Sequence, residues 1–372
     1  MKPYYVVLSG ARGNSGDDLI WDAALAHFER FRPDRSIVRA ESWVPFDEER
    51  LDLVNRAQSL ILLGGPSIRF NTFPDVYPLR RDLDDIKVPI LMLGSGYRDA
   101  DGDWARTTSF ELSDRTRRLF DRVERSGISG VRCHHTLNVL LAHGYRSFEM
   151  TGCPAFYDHS CLGAPFNFNS SIKKLGFATG RMYLRNESLR EQQLNLVLAL
   201  KRSFPQWKIV VALHDPVRPG DRLTMEMIGK LEEAGLEWHE VARTASELKR
   251  FYSDVDLQVG YRVHAHIHMC SINKPSLLLC EDGRGKGIRT TLGGPIFDAY
   301  RVRNYTWGEK LLHLVQLRSP FGKVIEARPS VPNEIPLQLE HALGSGFSSS
   351  AGSSALIEAY WKTYHRVLMA LP

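Results

Sequence analysis

Along the chain, short apolar or β-branched runs alternate with segments whose apolar residues recur every three or four positions. This is the pattern of strands followed by helices. In the first half the runs Tyr5–Leu8, Leu60–Leu63, Ile90–Leu93, Ile128–Val131 and Phe148–Met150 predict strands. Most are apolar throughout rather than alternating, so they predict parallel strands covered on both faces. After the first of them, Ile20, Ala23, Ala24, Phe28 and Phe31 share one helical face, with Asp17 placed as the N-cap. The pattern weakens after Tyr157, through Pro165, Phe166, Asn167 and Asn169, and restarts beyond Ser171. Strands are then expected at Leu175–Ala178, Ile209–Leu213, Leu257–Val259 and Ser276–Leu279. Helices are expected over Leu189–Ser203, Arg222–Ala234, Ala245–Tyr252 and His264–Ile272.

The implied fold class is α/β: two Rossmann-like, doubly wound domains, residues 1–165 and 170–300, with the carboxyl ends of their strands facing across a cleft. Such a cleft is where a ligand is sought first. Beyond Pro295 the chain reads as mainly helical, with helices at Trp307–Leu317 and Ala355–Leu371 and a flexible loop from Gly344 to Ser354. Residues 301–372 are therefore expected to be a helical C-terminal segment that packs back on the first domain.

Composition narrows the function classes. With 372 residues, 43% hydrophobic and 24% charged, the chain has the make-up of an ordinary globular protein, which excludes disorder and coiled coil as global readings. Lys and Arg number 48 against 43 Asp and Glu, a small excess that is scattered rather than gathered on one element. A nucleic-acid partner is not expected, and a small anionic ligand suits the balance better. The five cysteines are an odd number without a C-x-x-C pair, which suggests neither a disulfide framework nor a zinc site. No apolar run approaches the ~18 residues of a membrane span, and the start of the chain lacks a signal-peptide pattern. The expected location is the cytoplasm, with peripheral contact at the inner face of the membrane left open.

Candidate chemistry lies in the loops after the strands. Ser9-Gly10-Ala11-Arg12-Gly13-Asn14-Ser15-Gly16-Asp17 opens a helix, where free amides attract anions, although its spacing is neither G-x-G-x-x-G nor a P-loop. Asn14 and Asp17 are candidates for holding sugar hydroxyls; a tight strand-to-helix turn explains the same residues equally well. Gly64-Gly65-Pro66 is a second turn of this kind, with Gly65 able to bring backbone against a ligand, and Gly94-Ser95-Gly96 a third. Arg132 ends a strand and offers a planar fork to carboxylate or phosphate. The adjacent Cys133 is not expected to be a nucleophile with His134 or His135, because neighbours in sequence point apart on a helix.

The most informative segment is Leu257-Gln258-Val259-Gly260-Tyr261-Arg262-Val263-His264, where a buried strand runs into Arg-x-His at a helix start. A guanidinium, an imidazole and the positive helix end meet there, which suits binding a phosphoryl or carboxyl group while moving a proton. His264 is the candidate proton carrier and Arg262 its partner. His264 and His268 have the four-residue spacing of a shared metal, but no acidic third ligand lies near and no metal is expected. Arg181, His214 and Lys286 follow other strands of the second half and are candidate substrate-binding residues.

Taken in order, these segments resemble the polysaccharide pyruvyl transferase family. The resemblance rests on Gly13 to Asp18, Leu62 to Gly65, Ile128 to Arg132, Gly152 to Phe156, Gly176 to Arg181, Asp256 to His264, and Lys274-Pro275 with Lys286. It implies a fold like the two-domain glycosyltransferases of B type (GT-B), with phosphoenolpyruvate as donor, no other cofactor, and a glycan or lipid-linked oligosaccharide acceptor. It also implies roles for Arg262 and His264 in donor binding and catalysis. The chain departs from the family at Arg132-Cys133 and at Gly152-Cys153-Pro154, where Arg-Asp and Gly-Asp-Pro are usual. Two alternatives are a GT-B glycosyltransferase using a nucleotide sugar and a non-catalytic glycan-binding member of a polysaccharide assembly complex.

Overall fold

Strands that are apolar on both faces need cover on both sides, and two parallel sheets flanked by helices supply it. The computed structural model describes residues 2–10, 13–166, 168–310 and 323–372. In the first half, β1 (Tyr4–Ser9), α1 (Ser15–Phe31), β2 (Ser36–Glu41), α2 (Glu48–Asn55), β3 (Ser59–Leu63), α3 (Thr72–Asp75) and β4 (Ile90–Leu93) form a sheet in the order β2-β1-β3-β4. After α4 (Asp114–Ser126), the strands β5 (Ser129–Val131) and β6 (Phe148–Met150), joined by α5 (His134–Ala142), add a parallel pair. A bridge between Ser95 and Val131 ties this pair to the end of β4.

The second half runs β7 (Lys174–Ala178), α6 (Glu187–Ser203), β8 (Lys208–Leu213), α7 (Arg222–Glu233), β9 (Glu237–Glu240), α8 (Ala245–Ser253), β10 (Leu257–Gly260), α9 (Val263–Ser271), β11 (Ser276–Cys280), α10 (Gly283–Leu292) and β12 (Ile296–Asp298). Its six strands lie in the order β12-β11-β10-β7-β8-β9, a doubly wound arrangement. Strand order reverses between β7 and β10, and in the first sheet between β1 and β3. At these points the flanking loops diverge and leave a crevice beyond the carboxyl ends. Gly260, at φ +150°, closes β10 against Ala178 of β7, where any side chain would strike the Ala178 backbone.

The predicted strands and helices of both sheets fall on observed elements, with Ile128 just outside β5. Three strands of these sheets went unpredicted, β2, β9 and β12. All are sheet edges, and the mixed sequences of β2 and β9 keep Ser36, Glu237 and His239 in water. The cap of α1 is Asn14 rather than Asp17: Asn14 has extended backbone and its Oδ1 accepts from Gly16 N at 3.1 Å. Asp17 already lies in the first helical turn, where its charge favours the positive helix end.

The region after Pro295 is not mainly helical. Besides β12 it holds β13 (Tyr300–Asn304) and β14 (Lys323–Ala327), an antiparallel pair in which Arg301 and Arg303 bind Glu326 at 2.9 and 2.5 Å. Trp307 to Lys310 is helical, and the rest of the predicted Trp307–Leu317 helix lies outside the described residues. The predicted loop from Gly344 to Ser354 is largely helix. It contains a turn at Phe347 between α11 (Val331–Gly344) and α12 (Ser348–Met369). Its serines are small so that α12 can approach the second half closely. Ser353 Oγ donates to Leu292 O at 3.0 Å, and Ser354 Oγ to Asn273 Oδ1 at 3.0 Å. The helix α11 packs on α6, whereas α12 crosses to the first half. There His27 Nδ1 meets Tyr364 Oη at 2.9 Å, and Arg32 donates to Leu371 O at 2.6 Å. One apolar cluster containing Tyr5, Phe28, Tyr157, Tyr252 and Tyr364 runs through both halves.

Burial lowers the pKa of His27, His266 and His268 to about 4, against 6.5 for an exposed imidazole. The folded state therefore resists protonation that the unfolded chain accepts, so stability is held above pH 6.5 and lost as pH falls toward 4. Each ring costs up to ~3 kcal/mol at the acid end. Urea unfolding between pH 7.5 and 4.5 should show a midpoint that falls below about pH 6.5 with uptake of several protons; a flat profile would contradict neutral buried rings.

Candidate functional site

The loops at the two strand-order reversals meet face to face. Ala11 and Arg12 lie outside the described residues, but the end of the first loop does not. Gly16, at the start of α1, lies flat against the imidazole of His264, where a Cβ would collide with Nδ1. Beside it Ser15 N donates to Ala242 O of the second half at 2.7 Å. Backbone of one half thus touches a side chain of the other, and only glycine permits that approach.

Three cations surround His264. Arg262, the N-cap residue of α9, is 6% exposed; its Nη1 is buried without a hydrogen-bond partner among the described residues, and its Nη2 lies 3.5 Å from Asn14 Oδ1. Arg132 enters from the first half. Its backbone N donates to Ser95 O at 2.9 Å, and its guanidinium lies against Gly96, where a Cβ would come within 2.6 Å of Nε. Arg132 is 2% exposed, its Nε has no partner, and no described carboxylate pairs with it. Arg284, in the first turn of α10, is the third. Burial disfavours its charge, but Asp282 at 2.7 Å and Glu281 at 3.9 Å more than compensate.

His264 answers this crowding by staying neutral. Burial first, then the charges of Arg262, Arg132 and Arg284 and the ring of His214, hold its pKa well below 6.5. Its Nε2 is buried with no partner among the described residues. The site is therefore an imidazole with an unsatisfied nitrogen beside three guanidiniums, two of which, Arg132 and Arg262, form no ion pair among the described residues. An anion bearing several oxygen atoms would satisfy both.

The other candidates take different places. His214 ends β8; its Nε2 meets Tyr252 Oη at 2.8 Å, its Nδ1 is unpartnered, and burial followed by Arg262 depresses its pKa. Arg181 follows β7, is 48% exposed along its side chain, and pairs with Asp215 at 3.0 Å. Asn14 Nδ2 donates to Asp17 Oδ2 at 3.0 Å, so both face the cleft as a bonded pair. Gly65 adopts φ +70° with open space where its Cβ would point, and its carbonyl accepts from Gly96 N at 2.8 Å. Lys286 is not among the cations around His264. Its Nζ lies 3.8 Å from Asp101 and 4.9 Å above the Tyr300 ring. Arg284 stands two residues earlier, and residues two apart on a helix point in different directions. Cys133 bonds Thr136 Oγ1 at 3.0 Å, and burial pushes the Cys153 thiol up to about 11, so neither departs from a structural role.

Two members of the site carried no sequence signal of their own: Arg284, and Glu281, which accepts from Arg181 N and Met182 N at 2.8 and 2.9 Å and so shapes the β7 loop. Position directly after β11 was the usable clue, since each neighbouring strand end supplies one ligand-facing group.

Residues 14–276 match the family model for polysaccharide pyruvyl transferases. The chain belongs to the polysaccharide pyruvyl transferase family. The segment that matches spans β3 to β10 whole and includes Arg132, Arg262 and His264. Among solved structures it is similar to a Listeria monocytogenes protein described as a candidate UDP-N-acetylglucosamine 2-epimerase, with TM-score 0.54 and 11% identity over 99% of this chain and 95% of that one. It is also similar to Staphylococcus aureus MnaA, solved with UDP, with TM-score 0.50 and 12% identity over 92% and 97% of the two chains. Similarity to S. aureus TarM, at TM-score 0.45 and 10% identity, covers 86% of this chain but only 55% of that protein, so the chain spans about half of TarM's length. No curated protein matches by sequence. The pyruvyl transferase family is a transferase family, and the fold here is of the GT-B type.

Replacing Arg132 by Met, similar in volume, removes a buried charge with no described counter-ion. The Arg132→Met protein should unfold later than the unaltered chain in the absence of ligand, by ~1–3 kcal/mol. Its His264 should titrate at higher pH by NMR. An earlier unfolding midpoint together with an unchanged His264 would show that the charge is compensated.

Proposed function

We propose that this family member is a pyruvyl transferase that moves the enolpyruvyl group of phosphoenolpyruvate onto a sugar of a surface or exopolysaccharide precursor, leaving a cyclic ketal and free phosphate. The supporting observation is that Arg132 and Arg262, both buried and incompletely paired among the described residues, lie near a neutral His264 whose Nε2 is unsatisfied. Phosphoenolpyruvate carries a carboxylate and a phosphate on one small skeleton, which suits two or three guanidiniums in one cleft. Arg284 extends the same charge, and Arg181 stands at its rim.

The chemistry needs a proton on the methylene carbon of the donor. As that C–H bond forms, the enol double bond gives up its electron pair and the central carbon accepts a sugar hydroxyl. Loss of phosphate, with its C–O electron pair, opens the carbon to a second hydroxyl of the same sugar, and the two hydroxyl protons leave to bases or water. The imidazole of His264 is the proton carrier, and the guanidiniums hold the charge of the departing phosphate. The Asn14–Asp17 pair, on the opposite wall, offers an amide and a carboxylate to the sugar hydroxyls. No further cofactor enters this scheme. We place the protein in the cytoplasm, with an acceptor that is a glycan or a lipid-linked oligosaccharide. Among the described residues no helix is long and apolar enough to cross a membrane.

A neutral His264 can deliver a proton only if one arrives with the donor. An anion that cancels the surrounding guanidinium charge raises the imidazole pKa from its depressed value, so binding should take up a proton near pH 7. Calorimetry of phosphoenolpyruvate binding in buffers of different ionisation enthalpy should reveal that uptake, and His264→Ala should abolish it. Buffer-independent heats in the unaltered protein would remove His264 from the role.

Turnover gives the direct check. Phosphate release from phosphoenolpyruvate should depend on a glycan acceptor, fall at least ~100-fold in His264→Ala, and show weakened donor affinity in Arg262→Gln. Equal release by His264→Ala would reject the assignment of the catalytic group. The likeness to MnaA, solved with UDP, keeps one competing reading in view: thermal stabilisation by nucleotide sugars and not by phosphoenolpyruvate would favour a nucleotide-sugar enzyme instead.

A further inference from the structure

A second group of cations lies beside the His264 cluster and is not used by the donor. Beyond β3 and β4 the chain continues as a parallel bridge between Ile68 and Tyr97, with Ile68 N donating to Gly96 O at 3.0 Å and Arg98 N to Ile68 O at 2.8 Å. Arg69 and Arg98 are the residues that directly follow this bridge on its two segments. The loop after Arg98 abuts the start of α10: the carbonyl of Asp99 and the backbone of Gly102 touch Gly283, the residue before Arg284. From the second half, the turn after β7 is fastened through Arg181 N and Met182 N to Glu281, three residues before Arg284, and Arg185 ends the short helical turn that follows.

None of the three side chains forms an ion pair among the described residues. Arg69 Nε is buried with no hydrogen-bond partner among them, and the guanidiniums of Arg98 and Arg185 form no hydrogen bond with any described residue. The nearby Asp282 is committed to Arg284. Burial, then Arg69 and Arg284, disfavour the charge on Arg98, Asp282 favours it, and Arg185 disfavours it by less. Solvated surface arginines normally separate or find carboxylates, since like charges in proximity cost free energy. Here two loops from one half and one from the other bring them together at the mouth of a cleft already lined by Arg132, Arg262 and Arg284.

We infer that Arg69, Arg98 and Arg185 form a second oxyanion site, next to the donor cluster, that takes a charged group of an acidic acceptor. The shared chemistry is a phosphate or carboxylate oxygen set; a phosphorylated acceptor and one bearing an acidic sugar are its two sources. The inference rests on the pyruvyl-transfer reading only for the word acceptor, since the site itself is defined by its three arginines. It also gives the acceptor an orientation. The charged group sits on the β3–β4 side, and the sugar hydroxyls fall toward Asn14, Asp17 and His264.

The test is calorimetric titration of the full chain with inorganic pyrophosphate and, separately, with D-glucuronate, each with and without saturating phosphoenolpyruvate. The comparison protein is the Arg98→Gln/Arg185→Gln double variant, whose substituted side chains are exposed and whose melting midpoint should match the unaltered chain. At least one probe should bind while phosphoenolpyruvate is bound, and lose ten-fold or more in affinity in the variant, whereas phosphoenolpyruvate affinity changes less than three-fold. Pyrophosphate alone binding in this way identifies a phosphorylated acceptor, and glucuronate alone a carboxylated one. Displacement of both probes by phosphoenolpyruvate, or equal affinity in the variant, overturns the second site. If phosphoenolpyruvate fails to bind but a probe still depends on Arg98 and Arg185, the second site stands and the pyruvyl-transfer reading falls.

Discussion

Arg132, Arg262 and Arg284 are held around one imidazole, with Asp282 and Glu281 paired to Arg284 and Asp215 favouring the charge of Arg262, and this like-charge crowding is the constraint under which the cleft is built. In water the guanidiniums would separate. Here each is anchored by its position immediately after a buried strand or at a helix start, so the cost is borne by the packing of two sheets. The consequences are local and specific. His264 is neutral, and among the described residues its Nε2, Arg132 Nε and Arg262 Nη1 have no hydrogen-bond partner. Unsatisfied buried groups of this kind weaken a fold unless a ligand completes them, and they cluster where a ligand is expected.

That arrangement exists only because the two halves approach more closely than side chains usually allow. Glycine marks three of these contacts: Gly16 on His264, Gly102 on Gly283, and Gly287 facing Cys133. At the far side of the molecule the halves are joined by α12, whose aromatic residues pack on His27 and Tyr157 and whose last carbonyls accept from Arg32. A hydrophobic clasp thus carries the strain of an electropositive cleft. The division of labour explains why the serine-rich start of α12 is helical: small residues there let the clasp sit tightly on Leu292 and Asn273.

Much of the architecture was legible along the chain. Uniformly apolar runs identify strands buried on both faces whatever their partners, and every one predicted in the two sheets is found. Edge strands escaped because half-solvated residues carry no such signature, as in β2 and β9. The antiparallel β13–β14 pair escaped because its Arg–Glu ladder reads locally as charged loop. The cap of α1 was misplaced by three residues, since Asn14 and Asp17 are both good capping residues and only backbone dihedrals distinguish them.

The chain alone determined the α/β class, the likeness to its family and the placing of Arg132, Arg262 and His264 at strand ends, because these follow from local pattern and from what a doubly wound sheet does with such ends. Tertiary structure decided which cations face one another. Lys286 and Arg284 are two residues apart and equally plausible in sequence, yet helix phase turns one to Asp101 and Tyr300 and the other toward His264. The meeting of Gly16 with His264 joins residues about 250 positions apart. Such neighbours are set by how the two sheets pack, and no pattern within either segment encodes them.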